Sequence, residues 1–93
     1  MFVLDIGQDA GALLVYTPPE WQDQEVEISR DEPTGPPHKI HTGVVRRTIN
    51  GRPVCAAVFP SLKEGAYTFW RPQPLPQPAC TVTPGHITEL DWR

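Results

Sequence analysis

The sequence predicts an all-β fold, a seven- or eight-stranded antiparallel β-sandwich in which residues 1–93 form a single domain. Apolar residues occur in short runs, and no segment keeps the i, i+3, i+4, i+7 spacing of an amphipathic helix. The chain also contains 12 prolines and 7 glycines, a composition that disfavours long helices. A third signal is the Asn50-Gly51 dipeptide between two β-rich runs, which is typical of a hairpin turn.

The first third of the chain contains three predicted strands. Residues 2–6 alternate and end at Gly7, whereas residues 12–17 are apolar nearly throughout and stop at Pro18. Residues 25–29 alternate so that Val26 and Ile28 point inward. Residues 30–37 are charged and rich in proline and glycine, so we expect an exposed loop there.

Residues 40–59 predict one long hairpin around the Asn50-Gly51 turn. The expected cross-strand partners are Ile49 with Arg52, Arg47 with Val54, Arg46 with Cys55, Val45 with Ala56, Val44 with Ala57, Gly43 with Val58 and Thr42 with Phe59. Both faces of this hairpin carry apolar residues. We therefore expect it either to be central and covered on both sides, or to present an apolar patch to another chain.

The last third of the chain predicts three more strands. In residues 66–70, Tyr67 and Phe69 share the core side, and Thr68 and Trp70 share the other side. Residues 71–78 contain alternating prolines and predict a stiff, extended connection. Residues 79–83 and 86–92 are separated by Pro84-Gly85 and predict a terminal hairpin.

One stretch, residues 58–69, carries a characteristic spacing of five residues: Phe59, Leu62, Gly65, Tyr67 and Phe69. It resembles the F-x-x-L-x-x-G-x-Y-x-F/L signature of prealbumin-like sandwich domains, which include carboxypeptidase regulatory-like domains and the B-type repeats of bacterial adhesins. The resemblance implies an Ig-like sandwich in which the Phe and Leu enter the core. It also implies that the Gly makes a tight turn and that the Tyr begins a strand returning across the sandwich.

The same resemblance has an enzymatic branch, the hydroxyisourate hydrolases, which end in a Tyr-Arg-Gly-Ser tail. This chain ends Thr-Glu-Leu-Asp-Trp-Arg, so the diagnostic tail is missing. As a whole the chain also resembles short bacterial proteins that sometimes carry a phospholipase label. Neither Ser29 nor Ser61 lies on a Gly-x-Ser-x-Gly elbow, so the residues give that label no support.

Charge and composition restrict the expected partners. The net charge of −3 and the pI near 5.5 argue against a broad basic surface, so neither nucleic acid nor membrane is an expected partner. No secretion signal or apolar run of membrane-spanning length is visible, which predicts a cytoplasmic protein. Cys55 and Cys80 are expected to be reduced, buried thiols, with one disulfide between them as the alternative. The three histidines lack metal-ligand spacing, so no metal and no cofactor is predicted.

Two groups of residues are candidates for ligand binding. Arg46, Arg47 and Arg52 cluster near the Asn50-Gly51 turn and predict a local anion-recognition patch, although such clusters are also common at solvated hairpin ends. Among the tryptophans, Trp70 is the best candidate for stacking against a sugar or another small ligand. The alternative is that its ring contacts the proline-rich segment or a partner chain.

The function that these observations favour is a non-enzymatic protein-interaction or accessory module. No catalytic residue is assigned, and the expected partner is another protein or a second copy bound through the apolar hairpin face. The first alternative is a small hydrolase with a site built across a subunit interface from His41, Arg47 and His86, as the hydroxyisourate hydrolase resemblance implies. The second alternative is a small-ligand or sugar-binding module centred on Trp70.

Overall fold

A computed structural model describes residues 7–93 of the chain, and the strand expected at residues 2–6 lies outside this range. The described residues form eight strands and one short 3-10 helix, Pro19–Trp21. The strands are β1 (Ala10–Thr17), β2 (Glu25–Arg30), β3 (Lys39–Gly43), β4 (Val45–Ile49), β5 (Arg52–Lys63), β6 (Gly65–Arg71), β7 (Ala79–Val82) and β8 (Ile87–Asp91). None of the helical structure in residues 7–93 is long and apolar enough to cross a membrane.

The strands form two four-stranded sheets. Sheet A has the order β4-β5-β1-β8, and sheet B has the order β3-β2-β6-β7. Neighbouring strands are antiparallel except for β1 and β8, which run parallel. The predicted all-β sandwich is confirmed, with this parallel pair as a feature that the sequence did not indicate.

The hydrophobic core lies between the two sheets and takes alternate side chains from each. Leu13 and Val15 of β1 and Val26 and Ile28 of β2 are fully buried. The inward orientation predicted for Val26 and Ile28 is therefore confirmed. A period of two along each strand sends these residues to the inner face and their neighbours to the outer face.

Four residues of the spacing noted in residues 58–69 are buried, and the fifth, Gly65, lies at a turn. Phe59 and Leu62 are 4% and 5% exposed, and Tyr67 and Phe69 are each 2% exposed. Gly65 joins β5 to β6 with a φ of 137°, a backbone conformation that L side chains rarely adopt. A Cβ at this position would also lie 2.9 Å from Arg30 Nε, so the Arg30 side chain would have to shift to accommodate it.

The Asn50-Gly51 turn has the predicted geometry. Both residues have positive φ, 53° and 77°, and β4 and β5 pair in the predicted register from Val45 with Ala56 to Ile49 with Arg52. For the residues that precede Val45 the predicted pairing with β5 was wrong, because residues 39–43 form β3 and pair with β2 in sheet B. Phe59 and Val58 pair with Leu13 and Leu14 of β1, which lies on the other side of β5 from β4.

Val44 is the point at which the chain crosses from sheet B to sheet A. Its side chain is fully buried, its N–H donates to Gln24 O at 2.7 Å, and its carbonyl accepts from Asp23 N–H at 2.9 Å. These two bonds attach Val44 to the segment before β2. The crossing thus satisfies the backbone groups that the hairpin ladder would otherwise have used.

The predicted terminal hairpin was also wrong, since β7 pairs with β6 in sheet B and β8 pairs with β1 in sheet A. The intervening turn is closed by a hydrogen bond from His86 N–H to Thr83 O at 3.2 Å and is also bonded to β1. Gly85 N–H donates to Ala10 O at 2.9 Å, and Ala12 N–H donates to His86 O at 3.0 Å. These contacts hold β8 parallel to β1 on sheet A.

Candidate functional site

A β-bulge in β6 places two large side chains next to each other on the outer face of sheet B. Ile28 pairs with Phe69 and Glu27 pairs with Arg71, so Trp70 is the extra residue between them. The Trp70 indole N–H donates to Ser29 Oγ at 2.9 Å, and Arg71 Nε lies 3.7 Å from Glu27 Oε1. Trp70 and Arg71 therefore share the outer face, which a regular strand does not allow for consecutive residues.

Trp70 is held in place by contacts with the two neighbouring strands. The Ser29 side chain that accepts its indole N–H belongs to a residue only 2% exposed, so this bond satisfies a buried hydroxyl. On β3, the Lys39 ammonium lies 4.2 Å from the centroid of the ring, a cation–π contact. The ring is thus half-buried and fixed, with an exposed cation against one of its faces.

Charged side chains of both signs continue this outer face beyond Trp70. His41 Nδ1 donates to Glu25 Oε2 at 2.8 Å, and Arg71 faces Glu27. Both His41 and Glu25 are exposed, with 59% and 48% of their side-chain surface accessible. Exposed pairs of this kind contribute little to stability. Their charged groups are in contact with solvent and are therefore accessible to a ligand.

Two shallow depressions flank this face. One, of about 230 Å³, lies between Trp70 and the loop after β2 and is lined by Ser29, Asp31, Pro37 and Thr68 among others. Asp31 accepts a hydrogen bond from the Thr68 hydroxyl at 2.6 Å. The other, of about 370 Å³, lies beside Arg71 and is lined by Gln24, Glu25, Arg71, Pro72 and Gln73.

The other two tryptophans are not on this face. Trp92 packs edge to face against Phe69 and Trp21, with centroid distances of 5.1 and 6.0 Å, and its indole N–H donates to Gln77 at 2.9 Å. Both rings pack against the core at one end of the sandwich. Trp70 is therefore the tryptophan whose position fits a role in recognition.

The three arginines of the predicted anion patch do not share one surface. The register pairs Arg46 with Cys55, whose side chain enters the core, while Arg47 pairs with Val54 and Arg52 pairs with Ile49. Because side chains alternate, Arg46 lies on the inner side of sheet A, and Arg47 and Arg52 lie on the outer side. Arg46 instead shares a cleft with Arg93, a residue that sequence reasoning did not single out.

The outer face of the β4–β5 hairpin has a buried apolar centre. Leu14, Ala56 and Val58 are 6%, 0% and 6% exposed and form a small second cluster. The exposed large apolar residues at the sides of this face are Val45 and Ile87, at 47% and 46%. Of the two arrangements expected for the hairpin, β5 has the first, because it is a central strand of sheet A and its residues 55–59 are buried on both faces, whereas β4 is an edge strand.

The three residues of the alternative hydrolase site are far apart in the fold. His41 is on the outer face of sheet B, Arg47 is on the outer side of sheet A, and His86 Nδ1 donates to Pro84 O in the turn after β7. A single chain therefore does not bring these three residues together. Within residues 7–93 there is also no group of three potential metal ligands.

Both cysteines are free thiols, as predicted. Cys55 is buried, and Cys80 is half-buried on β7. Burial raises the pKa of the Cys80 thiol to about 11, because desolvation disfavours the thiolate. Cys80 is therefore a weak nucleophile at neutral pH.

Sequence reasoning identified Trp70 but missed the residues that surround it. Lys39, Ser29 and Arg71 join Trp70 only through the order of strands in sheet B and through the bulge. Alternation within residues 66–71 predicts that Arg71 faces the core side, opposite to what is observed. The sequence signal that could have indicated the bulge was the pair Trp70-Arg71, two large residues with polar ends, directly before Pro72.

Comparisons with protein-family models, with curated protein sequences and with solved structures gave no match to this chain.

Proposed function

We propose that this protein is a non-enzymatic protein-interaction module whose recognition surface is the outer face of sheet B around Trp70 and Arg71. The observation that carries the proposal is the β-bulge, which turns these two residues onto one face. Bulges re-aim side chains next to functional sites, and Trp and Arg are the residue types most enriched among binding hot spots. The two depressions beside them provide space for a partner's side chains.

The charge pattern of the face supports a protein partner. Lys39, Arg71 and His41 alternate with Glu25 and Glu27 across three strands. A mixed polar surface around a fixed aromatic ring is the composition of a non-obligate interface, in which aromatic residues anchor and the polar rim selects. The expected partner places an apolar side chain against Trp70 and charges opposite this pattern.

Site-specific photo-cross-linking tests the proposal. A benzophenone side chain replaces Ala79, an exposed residue of β7 that pairs with Thr68 on this face, and a control chain carries it at Arg52 on sheet A. We expect the side chain at position 79 to form a discrete adduct with one defined protein. Arg71→Ala or Trp70→Ala is expected to reduce the yield of this adduct. Equal adducts from both positions, or adducts that neither substitution changes, would contradict the proposal.

The hairpin face is a second candidate surface for the same function. Its exposed apolar residues Val45 and Ile87 flank the buried cluster of Leu14, Ala56 and Val58, and the occupant proposed for this face is a second copy of the chain. Analytical ultracentrifugation of Val45→Glu distinguishes the two surfaces. A dimer that Val45→Glu dissociates and Arg71→Ala does not would assign the interface to sheet A.

A small-ligand or sugar-binding module is the alternative function that the geometry favours next. Trp70 lies beside the hydroxyl of Thr68 and the carboxylate of Asp31 in the depression of about 230 Å³, a combination that suits a sugar ring. Titration with a panel of monosaccharides, followed by tryptophan fluorescence, tests it. Fluorescence changes on addition of a monosaccharide that are lost in Trp70→Phe would favour this alternative.

We also infer a prealbumin-like origin and a role in the bacterial cytoplasm. The burial of Phe59, Leu62 and Tyr67 and the positive φ of Gly65 support the first inference, and the two free thiols support a reducing compartment. Subcellular fractionation of the source bacterium tests the location. Recovery of the protein in the extracellular fraction with Cys55 or Cys80 oxidised would contradict it.

A further inference from the structure

A cleft of about 300 Å³ lies at one end of the sandwich, between the Pro19–Trp21 turn and the β4–β5 hairpin. Its walls are mainly apolar and are formed by Pro19, Pro53, Val54 and Cys55. Its polar side chains are those of Arg46, Arg93, Gln22 and Thr17. None of these residues belongs to the face around Trp70, so this site is independent of the proposed function.

Arg46 is the cation of this cleft. It pairs with Cys55 in the β4–β5 ladder and so lies on the inner side of sheet A, at an exposed position. Among the described residues, the Arg46 side chain makes no hydrogen bond and no ion pair, in contrast to that of Arg47. Its guanidinium thus lines an apolar cleft with its charge uncompensated.

Arg93 lines the same cleft but is already neutralised. Its Nε donates to Asp91 Oδ1 and its Nη2 donates to Asp91 Oδ2, each at 2.9 Å, and its guanidinium lies 4.9 Å from the centroid of the Tyr16 ring. Arg93 holds the pKa of the Asp91 carboxyl at about 2, so this pair keeps both charges over the physiological range. Arg93 therefore shapes the rim, and Arg46 supplies the net positive charge.

We propose that this cleft binds a small carboxylate with an apolar body. A guanidinium presents a planar fork that matches a carboxylate, and the prolines, Val54 and Cys55 offer an apolar wall for the rest of the molecule. A volume of about 300 Å³ is at the lower end of the range for ligand pockets, which restricts the occupant to a small molecule. Inorganic phosphate lacks an apolar body and leaves the walls unused.

Titration with benzoate, followed by heteronuclear NMR, tests this proposal on the intact chain. Benzamide is the neutral control ligand, and inorganic phosphate is the control anion. We expect benzoate to shift the Arg46 Nε–H resonance and the backbone amides of Gln22 and Cys55, and to bind at least about tenfold more tightly than benzamide, since the charge-assisted pair is lost in the amide. Phosphate is expected to bind more weakly than benzoate.

Two matched variants locate the site. Arg46→Gln is expected to weaken benzoate by about tenfold or more, whereas Arg52→Gln, which removes an exposed arginine from the opposite side of the same hairpin, is expected to leave it unchanged. Circular dichroism of both variants controls for folding. Equal weakening by both variants, equal binding of benzamide, or shifts confined to residues outside the cleft would each overturn the proposal.

Discussion

The two outer faces of this sandwich differ in character although each belongs to a four-stranded sheet. On sheet A, the central side chains Leu14, Ala56 and Val58 are at most 6% exposed. On sheet B, Trp70 is half-buried and the Arg71 side chain is 65% exposed beside Glu27. One face therefore has the burial of a core, and the other has the composition of a recognition surface.

The difference arises from the strands at the centre of each sheet. Residues 54–59 of β5 are apolar without interruption, so both of its faces are buried and its outer face contributes to stability. In β2 and β6 the core residues alternate with outward residues that include Thr68 and Trp70, and the bulge adds Arg71 to the outer side. Substitutions on sheet A are thus expected to change stability, and those on sheet B are expected to change binding.

The largest expected effect is that of Val58→Glu. A carboxylate in the cluster with Leu14 and Ala56 has no partner there and must either be desolvated or disrupt the cluster, at a cost of about 3–5 kcal/mol in unfolding free energy. Urea unfolding followed by circular dichroism measures it. The matched control is Ala66→Glu on the exposed side of β6, which is expected to change stability by less than about 0.5 kcal/mol. Similar costs for the two variants would remove the distinction between the faces.

A smaller effect is expected for the hydrogen bond under Trp70. Trp70→Phe removes the indole N–H and leaves the buried Ser29 hydroxyl without its donor, which is expected to cost about 1 kcal/mol. A double-mutant cycle with Ser29→Ala separates this bond from the lost packing, because the coupling energy reports on the pair alone. A coupling energy near zero would mean that the bulge is not held by this bond.

Much of the sandwich could be predicted from the sequence because its signals are local. The Asn50-Gly51 dipeptide predicted the turn and therefore the register of β4 with β5 back to the pair Val45 and Ala56. Alternation predicted that Val26 and Ile28 lie in the core. Each of these depends on residues a few positions apart. The resemblance carried by residues 58–69 implied core positions for Phe59 and Leu62 and a turn at Gly65, and the structure has both features.

The two wrong pairings have one physical cause. Val44 and Gly85 each bond to a segment distant in sequence, Gln24 in one case and Ala10 in the other, and these bonds direct β3 to sheet B and β8 to sheet A. A tight turn between two β-rich runs predicts that they are close but not that they share a sheet. Whether the two runs share a sheet depends on their backbone hydrogen-bond partners, which local sequence patterns do not indicate.

The candidate sites were predictable only in part for the same reason. Trp70 was visible as an aromatic residue on the non-core side, but the bulge that places Arg71 beside it is a property of the β2–β6 ladder. Arg46 and Arg47 are adjacent in sequence, which predicted that they share one patch. The ladder separates them to opposite sides of sheet A and brings Arg46 to Arg93.

The smallest expected effect on stability is that of Arg71→Ala. Its guanidinium lies 3.7 Å from Glu27 and is 65% exposed, so the pair is screened by solvent and its loss is expected to cost no more than about 0.5 kcal/mol. Thermal unfolding measures this cost, with Glu27→Gln as the matched variant from the other side of the pair. If both variants keep the wild-type stability while Arg71→Ala weakens the adduct from position 79, then Arg71 serves recognition. If Arg71→Ala instead costs as much as Trp70→Phe, the bulge places Arg71 outward to hold sheet B together.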